Sequence, residues 1–298
     1  MPPPALSRLL AGKSGEGSGS LWLPLWVHAR DTAEVMARLV NTRLPAAARE
    51  AIGLEDDELR RVAWFLGAAH DIGKATALFQ SNVTLRIPDA HSRLTAAGVG
   101  WGIFRYQNKS HHALAGEAIA LELGCPQGLA SVIGAHHGRP QALNEASRQF
   151  DFSDNYWTPG QEALWRGAWQ DLWQEALAGA GYASAADLPE LEVPAELLLT
   201  GLLTMADWIA SNTDCFPLLP VEELGDAMLW PDRVNRALDR LNLPSPWESF
   251  CQTMDAATFE ERFGFAPNPL QTAVMEVANA AEAPGLLIVE AQMGVGKT

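Results

Sequence analysis

The stretch LGAAHDIGKATALFQ, residues 66–80, sets the hardest constraint on how this chain can fold. It places His70 and Asp71 side by side in an otherwise apolar run, followed by Gly73 and Lys74. Neighbouring residues on a helix point about 100° apart, so the doublet does not belong to one polar stripe. A half-buried His–Asp pair must be ion-paired, hydrogen-bonded or bound to a metal, because an unpartnered buried charge is costly.

The rest of the chain repeats the problem. Its seven histidines include two further doublets, His111-His112 and His136-His137, besides His28 and His91. Asp207 stands in the middle of the most apolar helical stretch, in LLTMADWIAS, where a lone carboxylate needs a partner. Each feature has a plain reading by itself. A single histidine can be a satisfied core or surface residue. His111-His112 can be a solvated loop, and His137 before Gly138 can mark a helix end. Metal ligation explains them jointly: imidazoles suit transition metals and a carboxylate can bridge two ions. Residues so far apart in sequence converge only if several helices surround one pocket.

The predicted organisation is mainly helical. Residues 1–20 are rich in Pro, then Gly and Ser, and read as a flexible arm. PLWVHARDTAEVMARLVNTRL reads as a helix with apolar positions at Val27, Val35, Met36, Leu39 and Val40. DDELRRVAWFLGAAHDIGK reads as a second, breaking near Gly73, with acids in its first turn. Residues 82–110 read as loop-rich. HHALAGEAIALEL, PQGLASVIGAHHG and the Trp-rich stretch from Tyr156 are further helices; Trp165, Trp169 and Trp173 recur at helical spacing, a packing stripe. ELEVPAELLLTGLLTMADWIASNTD is a central apolar helix. After about residue 255 the pattern changes to loop, helix, the apolar strand GLLIVE and a Gly-rich turn, the opening of a parallel α/β domain.

Composition excludes some functions. The net charge of −15 argues against broad adhesion to nucleic acid, though not against a local cationic or metal-lined cleft. Three scattered cysteines, Cys125, Cys215 and Cys251, suggest no disulfide framework and favour a reducing cytoplasm. The N-terminus lacks a signal-peptide core, and no apolar run is expected to span a membrane.

Taken in order, His28, HDIGK, HHALAG, GAHHG and ADWIAS resemble the HD phosphohydrolase superfamily. More closely, they resemble the HD nuclease domain of the CRISPR-associated nuclease-helicases of type I systems, over roughly residues 15–255. The tail agrees. FAPNPLQ is similar to the Q motif of superfamily 2 helicases, with Gln271 as the implied adenine reader. EAQMGVGKT is similar to their phosphate loop. Gly294, Gly296, Lys297 and Thr298 keep the pattern, and Ala291 replaces its first glycine. The implied domains are a flexible arm at 1–20, an HD nuclease domain at 21–255 and the first βα elements of a RecA-like helicase domain at 256–298. The chain thus reads as the amino-terminal part of a longer nuclease-helicase, unable by itself to hydrolyse ATP.

The resemblance implies a two-metal centre. Asp71 would bridge both ions; His28, His70 and Asp207 would complete one site, and His112, His136 and His137 the other. His112 fits the H-x-x-A-G spacing, with His111 the fallback, and His91 matches no motif and reads as a surface residue. Such a centre would hydrolyse single-stranded DNA with two divalent ions such as Mn, Fe, Co or Ni, since Mg prefers oxygen ligands. Mg and ATP would serve only the full-length helicase. Lys74 would stabilise charge on the scissile phosphate or be a solvated helix-end lysine. Ser211 would touch the DNA backbone or be a plain helix serine. Trp208 could stack a base, but its apolar neighbours point to core packing. The implied partners are single-stranded DNA and a guide-RNA surveillance complex, with no membrane. Two other readings compete: a phosphohydrolase of nucleotides or cyclic nucleotides, and a metal-stabilised docking module for the surveillance complex.

Overall fold

The periodic apolar positions of residues 24–44 close into a long helix, Leu25–Arg43, with Val27, Val35, Met36, Leu39 and Val40 all buried. The computed structural model describes residues 5–14, 21–218, 232–242, 255–281 and 287–290. The chain divides into two units, Met1–Pro244 and Ser245–Thr298.

In the first unit, strands β1 (Ala11–Ser14) and β2 (Trp22–Pro24) form an antiparallel pair. Helices α1 (Leu25–Arg43), α2 (Ala46–Ile52), α3 (Asp56–Ala69), α4 (Ala77–Thr84), α5 (Pro88–Ala96) and α6 (His112–Glu122) follow. Then come α7 (Gln127–Gly134), the single turn α8 (Leu143–Ala146), α9 (Glu162–Ala180), α10 (Val193–Ala210) and α11 (Asp232–Leu241). Helix α1 packs along α3 and α10, α6 packs on α7, and α9 covers α3. The crossing of α1 and α3 is close because Gly67 faces α1; a Cβ there would stand 2.6 Å from the Ala33 Cα. The Trp stripe of α9 is packing as expected, with Trp165, Trp169 and Trp173 buried. Trp169 does more: its indole N–H donates to the Ala75 carbonyl at 2.6 Å, just past the HDIGK turn.

Several expectations need correction. The arm is not loose over its described residues 5–14. Leu6, Leu9, Leu10 and Ala11 are buried, and β1 pairs with β2; the apolar residues scattered among Pro and Gly supply enough burial to fix it. Residues 82–110 are not all loop, since α5 forms there behind Pro88 at its first position. Helix α3 ends at Ala69, and Ile72–Lys74 is a 3₁₀ turn. Trp208 is 70% exposed, not core, because α10 turns its buried face, with Leu199, Leu203, Ala206 and Ala210, the other way. By length and composition alone, α10 could cross a membrane, with a mean hydropathy of 1.3 over its 18 residues. In this fold, that apolar character serves burial against α1 and α7.

In the second unit, α12 (Ala256–Phe263) and α13 (Pro269–Asn279) are the described helices. The described part of GLLIVE, residues 287–290, carries no strand, and Ile288 is exposed. A strand exists only with a hydrogen-bonded neighbour, and the described residues of this unit offer none. Gly294, Gly296, Lys297 and Thr298 lie outside the described residues. Gln271 forms a capping box with Asn268 at the start of α13.

Candidate metal centre

Five elements, α1, α3, α6, α7 and α10, bring the histidines and aspartates together. His28 comes from the first turn of α1, where the Thr32 hydroxyl donates to its carbonyl at 2.9 Å. His70 ends α3, and its Nδ1 lies 2.8 Å from the Gly67 carbonyl. That contact assigns the proton to Nδ1 and frees Nε2 as a donor to an ion. His136, in the turn after α7, is held the same way, with Nδ1 2.7 Å from the Ile133 carbonyl. Asp207 comes from the last turns of α10, and the Ser211 hydroxyl donates to its Oδ1 at 3.1 Å. Thr204, on the same helix, donates to the His136 carbonyl at 2.9 Å and ties the two segments.

The HDIGK turn crosses the start of α6 at close range. A Cβ on Gly73 would overlap the His112 carbonyl oxygen and approach the Gly116 amide. Glycine at 73 therefore lets His112 approach Asp71. His111 does not share that role: it caps α6, its Nδ1 accepting from the Leu114 amide at 3.3 Å. His91 lies apart, stacked on Trp101 with centroids 4.3 Å apart, half-buried and not a plain surface residue.

The resulting arrangement has two donor groups. His28, His70, Asp71 and Asp207 form one, buried throughout; His112, His136 and His137 form the other, open to solvent at His137. Asp71 faces both. Its Oδ2 lies 3.1 Å from His28 Nε2 and 3.1 Å from His70 Nε2. Its Oδ1 lies 3.6 Å from His112 Nε2 and 3.7 Å from His136 Nε2. Asp207 Oδ1 stands 3.2 Å from His28 Nε2.

These residues fit metal ions by a direct structural test. Both ring nitrogens of His28, Nε2 of His70 and of His136, and Oδ1 of Asp71 are buried without a hydrogen-bond partner. Buried polar atoms are otherwise nearly always satisfied. The short N···O distances mean that these donor atoms converge on shared points between them. Five imidazoles and two carboxylates form a donor set for transition metals.

Electrostatics separate the two groups. Burial opposes charge on His70, but the carboxylates of Asp71 and Asp207 overcome it and raise its pKa to about 10. Burial likewise opposes the Asp71 carboxylate, and His70 and Lys74 outweigh it, holding its pKa well below the usual range. Burial lowers His112 to about 4 and His136 to about 3, so those two imidazoles are neutral and ready to ligate.

Lys74 Nζ lies 2.6 Å from Asp71 Oδ2. Sequence reasoning missed three residues here. Lys13 of β1 donates to the Ser211 carbonyl beside Asp207, and composition hid it in the supposed arm. Gln80 is a buried amide tying β1 to the HDIGK turn; an isolated glutamine leaves no sequence signal. Glu117 is buried next to Gly134 with Oε2 unpartnered, and its place inside the apolar run HALAGEAIALEL was a legible signal.

Comparison with known proteins gives a consistent picture. The family described as Cas3, HD domain, matches residues 12–216. The chain is 31% identical over 309 residues to the CRISPR-associated nuclease/helicase Cas3 of Streptococcus thermophilus, covering 97% of this chain and 33% of that protein. It is 31% identical over 297 residues to the CRISPR-associated endonuclease/helicase Cas3 of Thermus thermophilus, covering 94% and 30%. Among solved structures, the Thermus thermophilus Cas3 HD domain in the presence of Ni²⁺ matches at a TM-score of 0.53 and 28% identity, over 80% of this chain and 92% of that one. The chain spans about a third of the length of the curated relatives it matches.

Proposed function

The chain belongs to the Cas3 HD domain family, and from that membership we propose that it is the metal-dependent nuclease part of a CRISPR nuclease-helicase. Its reaction is phosphodiester hydrolysis of single-stranded DNA. The observation that carries this reading is Asp71, whose two oxygens face two separate donor groups.

His28, His70 and Asp207 complete one site and His112, His136 and His137 the other, each shared with Asp71. Two divalent ions of the Mn, Fe, Co or Ni kind would supply Lewis acidity at the phosphate and acidify the attacking water. The protein's own residues do the rest. Asp71 fixes the spacing of the two sites. The buried group excludes water from one side, and the exposed edge at His137 leaves room for a strand. Lys74 stands where its ammonium neutralises charge growing on the phosphate oxygens. The Ser211 hydroxyl can turn its single hydrogen from Asp207 to a backbone phosphate. Exposed Trp208, next to Asp207, offers a ring face for a base.

The wider assignment follows the same reading. The activity serves antiviral defence in the cytoplasm, recruited by a guide-RNA surveillance complex. In the full-length protein Gln271, Gly294, Gly296, Lys297 and Thr298 bind ATP with Mg²⁺. The test is circular single-stranded DNA incubated with the purified chain without ATP, in EDTA, Mg²⁺, Mn²⁺, Co²⁺ or Ni²⁺, beside Asp71→Ala. Transition-metal-dependent degradation that spares duplex and is lost in the variant supports the proposal. Hydrolysis of nucleotide phosphates alone would favour the phosphohydrolase reading. Bound metal with neither activity would favour the docking module.

A further inference from the structure

The chain contains four lysines, Lys13, Lys74, Lys109 and Lys297. Two of them, 61 positions apart, are drawn to the metal centre, Lys13 on the Ser211 carbonyl and Lys74 on the Asp71 carboxylate. In a protein of net charge −15 that pairing needs a reason, because two cations held close together repel.

The approach of Lys13 is built into the fold. Gln80 is fully buried. Its Oε1 accepts from the Ala11 amide, and its Nε2 donates both to the Ala11 carbonyl and to the Lys74 carbonyl, each at 2.9 Å. One amide thus fastens the strand that carries Lys13 to the turn that carries Lys74. Gly12 lets β1 lie against the start of α1; a Cβ there would stand 2.8 Å from the Leu25 Cα. The next residue, Lys13, is half-buried, and its ammonium donates to the Ser211 carbonyl, at the end of the helix that supplies Asp207. Burial and the charge of Lys74 both disfavour the ammonium, while Asp207 favours it.

We propose that Lys13 binds a backbone phosphate of the substrate strand as it enters the metal centre, forming with Lys74 a two-lysine clamp. The proposal rests on the nuclease reading above and adds to it a substrate-binding residue. A phosphate bound by both ammonium groups would relieve their repulsion and take up the ammonium hydrogens left over from the Ser211 carbonyl and the Asp71 carboxylate. The competing role is structural: a cation capping the C-terminal carbonyls of α10.

Lys13→Gln separates the two roles, since glutamine can still donate to the Ser211 carbonyl but carries no charge. Lys13→Arg keeps the charge. The measurement is binding of a fluorescein-labelled phosphorothioate oligothymidylate to the Mn²⁺-loaded chain, by anisotropy, over a range of salt. Lys13→Gln is expected to bind roughly tenfold more weakly, as for one charged hydrogen bond. The slope of log K against log salt should fall by about 0.7, as for one lost phosphate contact on a single strand. Its melting temperature and metal content should stay at wild-type values, and Lys13→Arg should bind as wild type. Unchanged affinity and slope in Lys13→Gln would overturn the proposal and leave Lys13 as a helix cap. No binding by the wild-type chain would instead overturn the nuclease reading, and the clamp with it.

Discussion

His112 Nε2 and His137 Nε2 lie 2.8 Å apart, on rings set nearly perpendicular. Without an ion one of these nitrogens must donate a proton to the other. With one, two Zn- or Mn-like bonds of roughly 2.0–2.2 Å would put two ligand nitrogens of a single ion only slightly farther apart. His112 opens α6 and His137 follows α7, so packing of α6 on α7 is what sets this distance.

The two donor groups should therefore empty independently. His137→Ala should leave one bound ion per chain, and His28→Ala should leave the other. Asp71→Ala should leave neither. Each single loss should cut DNA hydrolysis by about a hundredfold or more, the usual cost of removing one stabiliser of transition-state charge. Metal analysis after gel filtration, paired with cleavage rates, checks the pattern.

Loading should release a proton from His70 but none from His112 or His136. His70, held up to about 10, is protonated in the ion-free protein at neutral pH, whereas His112 and His136 are already neutral. An ion needs the neutral imidazole. Affinity at the buried group should rise roughly tenfold per pH unit from 7 until pH approaches the His70 pKa. In the ion-free protein the sign reverses for stability. The raised His70 pKa stabilises the fold fully below about 6.5, and that contribution is lost as pH climbs through about 10. Calorimetric titration in buffers of different ionisation enthalpy measures the released proton directly.

Glu117 should make the fold less stable as pH rises. Burial raises its pKa to about 7 from an ordinary 4.5, and its Oε2 has no partner. The protonated form is favoured in the native state, so its contribution is complete below about 4.5 and lost as pH passes 7. Glu117→Gln should be more stable than wild type at pH 8, on the order of 3 kcal/mol, and level with it at pH 4. Urea melts at the two pH values test this.

Asp31 and Arg233 form a buried ion pair, with Arg233 Nε 2.9 Å from both carboxylate oxygens, joining α11 to α1. Asp31→Ala strands a buried guanidinium and should cost about 3–5 kcal/mol. Replacing both with apolar residues of similar volume should recover most of it. A double-mutant cycle by thermal melting separates the two effects.

Gly73→Ala should disrupt the centre without touching a ligand, because its Cβ would overlap the His112 carbonyl oxygen. The expected result is a folded protein with weakened metal binding at the open group, measured as a higher dissociation constant for Mn²⁺.

Much of this was legible in the sequence, for physical reasons. Helices α1 and α10 announce themselves through long apolar faces, and the candidate ligands His28, His70, Asp71 and Asp207 stand out because they are polar where burial is required. His111 and His112 were distinguishable only by spacing; the structure adds that His111 is spent on a helix cap. Other features depend on non-local contacts. Lys13 sits among Pro, Gly and Ser, and its strand exists only because Trp22–Pro24 pairs with it. Trp208 looked like core because its neighbours are apolar, yet which face of α10 is covered depends on where α1 and α7 lie. The end of α3 at Ala69 is set by the tertiary turn that aims Asp71, not by a local breaker.

The central claim is a pair of ions bridged by Asp71, and its most direct test is electron paramagnetic resonance of the chain titrated with Mn²⁺. Two ions about 3.5–4 Å apart should give an exchange-coupled signal at full loading, and Asp71→Ala should abolish it. An uncoupled, isolated-ion hyperfine pattern at saturation in the wild-type chain would contradict the account.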